Sequence, residues 1–140
     1  MKADVSRYEA RWPIGTKERV WLDVLLYTGL RRGDAVRLGP QHVTDGIAVI
    51  KTEKSGFTVE VTIPLLSTLV ETLDAGPIAQ DAYICGDRGT ALTKESFENV
   101  FREACRAAKV EKSAHGLRKM GATRAANAGA TVAELEAIFG

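Results

Sequence analysis

The chain has 140 residues, of which 45% are hydrophobic and 26% are charged, and its formal net charge is +1. This composition is typical of one globular domain over residues 1–140, and no apolar run approaches the ~18 residues of a membrane-spanning helix. The chain also begins without the apolar region of a signal peptide, so we expect a cytoplasmic protein. A net charge of +1 neither favours nor excludes a nucleic-acid partner.

The cysteines and histidines predict neither a disulfide framework nor a metal site. Cys85 and Cys105 lie in separate segments without the CxxC spacing, so we expect both to be small core residues. His42 and His115 are too far apart in the sequence for a metal-binding motif. We therefore expect no metal and no cofactor.

The first part of the chain shows helical periodicity. We predict a short helix over residues 3–12, a mostly buried helix from the N-cap Thr16 to Thr28, and a second short helix over residues 31–38. Gly29 separates the last two helices, and Gly39 stands at the end of the third.

The pattern then changes to β-branched residues of alternating polarity. Residues 47–54 and 57–65 predict two strands joined by a turn at residues 53–56. After them we predict a helix over 65–76, a short strand over 81–86, a helix capped by Thr93, and helices over 116–128 and 132–139. The predicted fold is α+β, mainly helical with one small antiparallel hairpin or sheet.

Arg31 is the first candidate functional residue because it directly follows a buried apolar stretch. Asp34 follows it at i+3, one helical turn further on. One interpretation is a helix end whose charges face water. The other is a guanidinium that is held at the edge of the core and oriented by Asp34, the arrangement that bidentate phosphate binding needs.

Lys54, His115 and Arg118 allow the same two interpretations. Lys54 lies in the hairpin turn, where it is either a solvated lysine or an ammonium that donates a proton to a leaving oxygen. His115 and Arg118 are one helical turn apart, so they are either a cap and a surface arginine or a pair that faces one anion. Taken together, these residues would suit a single phosphodiester, because the arginines could neutralise charge that develops in the transition state.

The same residues resemble the catalytic domain of tyrosine recombinases, the phage integrase family. TGLRRGD at residues 28–34 resembles the first-arginine motif, KSG before VTIPL resembles the hairpin lysine, and HGLRK at 115–119 resembles the H-x-L-R motif. The stretch AGATVAELEAIFG at 128–140 resembles the sequence that leads to the last motif of the family. The similarity covers nearly the whole chain, in the family's order.

This resemblance implies the role of each candidate residue. Arg31 and Arg118 would clamp the scissile phosphate, Lys54 would be the general acid, His115 would assist, and Asp34 would support the site. The partner would be double-stranded DNA, with self-association on it, and the reaction would be site-specific recombination such as DNA integration. No metal or cofactor would take part.

One feature of the family pattern is missing from the 140 residues. The family places a histidine or tryptophan after the final glycine and a nucleophilic tyrosine further on, which we expect after Gly140. Tyr8, Tyr27 and Tyr83 occupy the wrong positions to substitute for it. We therefore expect residues 1–140 to be a partial catalytic domain that is inactive by itself. The alternatives are a non-cleaving DNA-binding module on the same scaffold and, more distantly, a soluble helical interaction domain.

Overall fold

The computed structural model describes residues 2–111 and 114–139. Its first two helices are α1 (Lys2–Arg11) and α2 (Lys17–Thr28), and the elements that follow are α3 (Arg32–Ala35), a 3-10 turn (Pro40–His42), β1 (Val43–Thr44), β2 (Ile47–Lys51), β3 (Glu60–Pro64), α4 (Ser67–Ala75), α5 (Lys94–Ala107), α6 (Ala114–Arg118), α7 (Gly121–Asn127) and α8 (Val132–Phe139). The fold is mainly helical with a small antiparallel sheet, as the sequence predicts.

Helix α2 forms the centre of the fold. The Thr16 hydroxyl accepts a hydrogen bond from the Arg19 N–H at 3.2 Å, which confirms the predicted N-cap. From Val20 to Thr28 every residue is buried, because other helices pack around α2. The helix ends where Gly29 adopts a left-handed conformation with φ of 68°.

The three strands form an antiparallel sheet in the order β1–β2–β3. The predicted hairpin is confirmed, with Val49 of β2 opposite Thr62 of β3. Ala48, Ile50 and Ile63 are buried and turn one face of the sheet towards the core. Strand β1 was not predicted, because a two-residue strand carries too little alternation to be recognised from sequence.

Helix α5 completes the core, and its cap was predicted correctly. The Thr93 hydroxyl accepts a hydrogen bond from the Ser96 N–H at 3.1 Å. Phe97 and Phe101 are fully or almost fully buried and contact other aromatic rings of the core. Both cysteines are buried and free, as expected.

Two predicted elements in the middle of the chain are shorter in the structure than the sequence predicts. The helix predicted over 31–38 is formed only as α3, which is followed by a turn that ends at Leu38. The next residue, Gly39, lies so close to the backbone of Asp81 that a Cβ there would stand 2.2 Å from the Asp81 carbonyl oxygen. The strand predicted over 81–86 is an isolated bridge between Cys85 and Ala91. Tyr83 instead donates its backbone N–H to the carbonyl of Leu38, so tertiary contacts set the path of this segment.

The segment predicted as one helix over 116–128 is helical but divided in two, because the chain turns between α6 and α7. Met120 closes this turn by donating its N–H to the Leu117 carbonyl at 2.9 Å. The turn brings Gly121 against α2, where a Cβ would lie 2.0 Å from the Leu26 carbonyl oxygen. Close packing against α2 therefore decides where the helix breaks.

Candidate active site

Arg31 stands at the junction between the buried helix α2 and the short helix α3. Leu30 before it is only 6% exposed, and its N–H donates to the Thr28 hydroxyl at 3.2 Å. The Arg31 carbonyl accepts from the N–H groups of Asp34 and Ala35 at 3.0 and 2.8 Å. These contacts hold the Arg31 backbone rigidly while its side chain is exposed to solvent.

Arg118 lies at the end of α6 and close to Arg31 in space. The neighbouring Leu117 is 1% exposed and anchors α6 in the core, so the Arg118 side chain is partly buried. Burial lowers the pKa of Arg118, and the positive charge of Arg31 lowers it further. Two guanidinium groups from distant parts of the chain thus share one region, where an anion would relieve their mutual repulsion.

Lys54 lies on the same side of the molecule as Arg31. Together with Gly33, Asp34 and Glu53, these two residues line an open pocket of about 210 Å³ between α3 and the β2–β3 turn. The Lys54 side chain is exposed, as a residue that must meet an external ligand would be. The structure therefore brings together Arg31 and Lys54, and places Arg118 near Arg31.

Asp34 is buried, with 3% of its surface exposed, and joins α3 to the hairpin. Its Oδ1 accepts from Arg37 Nη2 at 2.6 Å and from the Glu53 N–H at 2.8 Å. Because Glu53 immediately precedes Lys54, Asp34 ties the helix that follows Arg31 to the turn that carries Lys54. An orienting contact between the Asp34 and Arg31 side chains stays a prediction.

The His115 backbone lies within α6, three residues before Arg118. Its side chain lies outside the described part of the structure. Since α6 has only five residues and ends at Arg118, that arginine stands at the end of a short helix rather than near the start of a long one.

The three tyrosines of the chain lie in the core. Tyr8, Tyr27 and Tyr83 are 0%, 3% and 7% exposed, and Tyr8 donates its hydroxyl to the Glu18 carbonyl at 2.6 Å. Burial raises the pKa of each phenol above its ordinary value. All three tyrosines are therefore buried, and the absence of the nucleophile from residues 1–140 stays a prediction.

Two neighbours of the pocket were missed by sequence reasoning. Glu53 lines the pocket, and its carboxylate binds Lys94 Nζ at 2.6 Å. The Glu53 carboxylate also raises the pKa of Lys94. The only sequence signals were the position of Glu53 directly before Lys54 and that of Lys94 directly after the Thr93 cap.

The phage integrase family model matches residues 5–140. The chain belongs to the phage integrase family. This match includes the segments that contain Arg31, Lys54, His115 and Arg118.

Solved structures of integrases and recombinases share the fold at low sequence identity. A lambda integrase dimer bound to a COC′ core site matches with a TM-score of 0.71 and 19% identity, over 99% of this chain and 54% of that one. XerA recombinase matches with a TM-score of 0.70 and 19% identity, over 99% of this chain and 52% of the XerA chain. The integrase from mycobacterium phage Brujita matches with a TM-score of 0.69 and 22% identity, over 96% and 46%. The chain therefore spans about half the length of these three integrase and recombinase chains.

Three further observations complete the comparison. No curated protein matches the chain. None of the described helices is long and apolar enough to cross a membrane. Among the side chains that the structure describes, which do not include His115, no group of three or more His, Cys, Asp or Glu is arranged to hold a metal ion.

Proposed function

We propose that the intact protein is a site-specific recombinase that cuts and rejoins double-stranded DNA through a 3′-phosphotyrosine, and that residues 1–140 are part of its catalytic domain. The observation that carries this proposal is that Arg31 and Lys54 line one pocket, and that the charge of Arg31 acts on Arg118 from a third segment of the chain. Membership of the phage integrase family supports it.

In this proposal the two arginines bind the scissile phosphate. The α2–α3 junction fixes the Arg31 backbone and the anchored helix α6 fixes that of Arg118, so both side chains would start from defined positions when DNA arrives. Positioned charge of this kind stabilises the extra negative charge of a phosphoryl-transfer transition state without reorganisation during the reaction. Neither arginine would need a metal ion to assist it.

Lys54 and His115 would handle protons. The tyrosine hydroxyl attacks phosphorus and forms the 3′-phosphotyrosine bond, while the bond to the 5′-oxygen breaks. Lys54 gives a proton to that departing 5′-oxygen, and His115 donates to the phosphate or takes the proton of the nucleophile. Rejoining is the reverse reaction, in which a 5′-hydroxyl attacks the phosphotyrosine.

We propose that residues beyond Gly140 supply the tyrosine. This is supported by the packing of the end of α8 against Gly29, where a Cβ would lie 3.2 Å from the Ile138 carbonyl oxygen. Gly29 is two residues before Arg31, so a segment that continues from Phe139 would start close to the proposed phosphate position.

Double-stranded DNA and further copies of the protein are the proposed partners. Lambda integrase has been solved as a dimer bound to a COC′ core site and as a tetramer bound to a Holliday junction. We propose the same kind of self-association on DNA here, with activity in the cytoplasm and DNA integration among its outcomes.

The first experiment tests anion binding by the 140-residue chain. Inorganic phosphate should raise the free energy of unfolding by RT ln(1 + [L]/Kd), where [L] is the phosphate concentration. Arg31→Ala and Arg118→Ala should each lose most of this gain, while the exposed Arg88→Ala should retain it as the matched control. An equal gain in all variants would be a general salt effect and would contradict the proposed arginine pair.

The second experiment tests cleavage by the longer protein. A nicked DNA substrate that traps the intermediate should give a covalent protein–DNA adduct, and Arg31→Ala or Arg118→Ala should abolish it. DNA binding without any adduct would favour the non-cleaving module instead. Lys54→Ala should slow cleavage at a 5′-oxygen, but not at a 5′-sulfur, because a thiolate leaves without a proton.

A further inference from the structure

Glu53 is the residue that joins the hairpin turn to the rest of the site. Its N–H donates to buried Asp34 Oδ1 at 2.8 Å, and its carboxylate binds Lys94 Nζ on α5 at 2.6 Å. These two contacts attach the turn to α3 and α5, which are separated in sequence by residues 36–93.

The absence of a side chain at Gly33 makes room for the Glu53 carboxylate. A Cβ on Gly33 would lie 3.1 and 3.2 Å from the two carboxylate oxygens, which is closer than most ordinary Cβ contacts. Gly33 has no left-handed φ to explain a glycine there. The explanation that the structure offers is therefore the space that the Glu53 side chain occupies.

Glu53 also begins the turn that contains Lys54. Its carbonyl accepts the Gly56 N–H at 2.9 Å, so Lys54 and Ser55 are the central residues of a closed four-residue turn. The Ser55 hydroxyl donates to the Thr52 carbonyl at 2.8 Å and thereby fixes the base of the same turn. A displacement of Glu53 would consequently move Lys54 with it.

We propose that Glu53 is a positioning residue, which docks the β2–β3 turn on Gly33 and Lys94 and so holds the Lys54 ammonium beside Arg31. The part that concerns Lys54 chemistry rests on the proposed function. Lys94 also neutralises the Glu53 carboxylate, which allows an acidic side chain to line a pocket meant for an anion.

Amide hydrogen exchange of the 140-residue chain tests the docking without DNA. The Gly56 and Phe57 amides report on the turn, since they donate to the carbonyls of Glu53 and Thr52. Their exchange rates are compared with those of the β2–β3 ladder amides, so that a change in global stability cancels. Glu53→Ala should increase the exchange rates of the turn amides, relative to those of the ladder amides, by about threefold or more. Glu53→Gln, which keeps the shape and an acceptor oxygen, should increase them by less.

The matched control is Asp87→Ala, which removes an exposed carboxylate that binds Lys17 Nζ at 3.0 Å and lies far from the turn in sequence. It should leave the ratio of turn to ladder exchange rates unchanged. A double-mutant cycle adds a test of the space above Gly33. Gly33→Ala should increase the exchange rates of the turn amides in the wild-type background, where the new Cβ meets the Glu53 carboxylate, but not in the Glu53→Ala background, where that carboxylate is gone.

Two results would overturn the proposal: an unchanged ratio in Glu53→Ala, or equal effects of Gly33→Ala in both backgrounds. In the longer protein, Glu53→Ala should slow cleavage at a 5′-oxygen more than at a 5′-sulfur. If the turn amides respond while Glu53→Ala cleaves both substrates at wild-type rates, the positioning of Lys54 by Glu53 is wrong, whereas the role of Lys54 itself is decided by the Lys54→Ala experiment.

Discussion

Removal of the Asp34 carboxylate should both destabilise the fold and detach the Lys54 turn from α3. Asp34→Ala leaves the Glu53 N–H and Arg37 Nη2 without the oxygen that now accepts from both, at 2.8 and 2.6 Å. Each hydrogen bond to a charged acceptor contributes about 1.5–3 kcal/mol. Arg37 is one-third exposed, so water replaces part of its loss. We therefore expect a loss of about 2–4 kcal/mol in the free energy of unfolding.

Asp34→Asn separates the effect of charge from that of shape. The amide retains the volume and an Oδ1 that can accept from both donors, but it carries no negative charge, so the bond from the Arg37 guanidinium is no longer an ion pair. We expect a loss of about 1–2 kcal/mol, smaller than that of Asp34→Ala. The matched control is Asp74→Ala on α4, which removes an exposed carboxylate and should change the free energy by no more than about 0.5 kcal/mol.

Urea unfolding followed by tryptophan fluorescence measures these differences, because Trp21 is only 3% exposed and reports on the core. The denaturant slope should stay constant across the series. A loss below about 1 kcal/mol in Asp34→Ala would refute the reasoning, since it would mean that neither hydrogen bond to Asp34 contributes as expected.

Three further predictions concern the core. Gly121→Ala should lower the free energy of unfolding by about 2–4 kcal/mol despite the better helix propensity of alanine, because its Cβ would lie 2.0 Å from the Leu26 carbonyl oxygen. The control Ala122→Gly, at the exposed neighbouring position, should lower it by only about 1 kcal/mol. Thermal unfolding measures both, and an unchanged stability in Gly121→Ala would disprove the close contact. Burial raises the pKa of Asp23, so its contribution to stability is largest below its unfolded pKa and falls as the pH rises through its folded pKa. The stability of wild type relative to Asp23→Asn should accordingly decrease with rising pH. An increase would mean that the pKa of Asp23 is lowered in the folded state rather than raised. Burial raises the pKa of Cys105 to about 12, so a maleimide should label it at neutral pH only after unfolding; rapid labelling of the native chain, seen by mass spectrometry, would contradict this.

Local sequence signals predicted the elements that local contacts stabilise. Thr16 and Thr93 were recognised as N-caps because a side-chain oxygen three residues before a free N–H needs no distant partner. The β2–β3 hairpin was recognised because alternating β-branched residues and a short turn suffice to specify it. The errors at residues 81–86 and 119–120 lie where contacts distant in sequence, to Leu38 and Leu26, decide the backbone path.

The candidate site likewise contains residues that the sequence identifies and contacts that only the structure reveals. Motif spacing identified Arg31, Lys54, His115 and Arg118 as candidates, because residue type and order can be read from a linear chain. The pairing of Glu53 with Lys94, separated by 41 positions, could not be read in this way.

By itself, the sequence of this protein determined the mixed but mainly helical class, the positions of the main helices and the hairpin, and the set of cationic residues suited to a phosphate. Each of these depends on periodicity, capping or residue chemistry within a few positions. Only the tertiary structure decided that Arg118 approaches Arg31, that Asp34 and Glu53 fasten the turn carrying Lys54, and that all three tyrosines are buried. The physical reason is that charge proximity and burial depend on how α2 packs against its neighbours, and packing is a property of the whole chain.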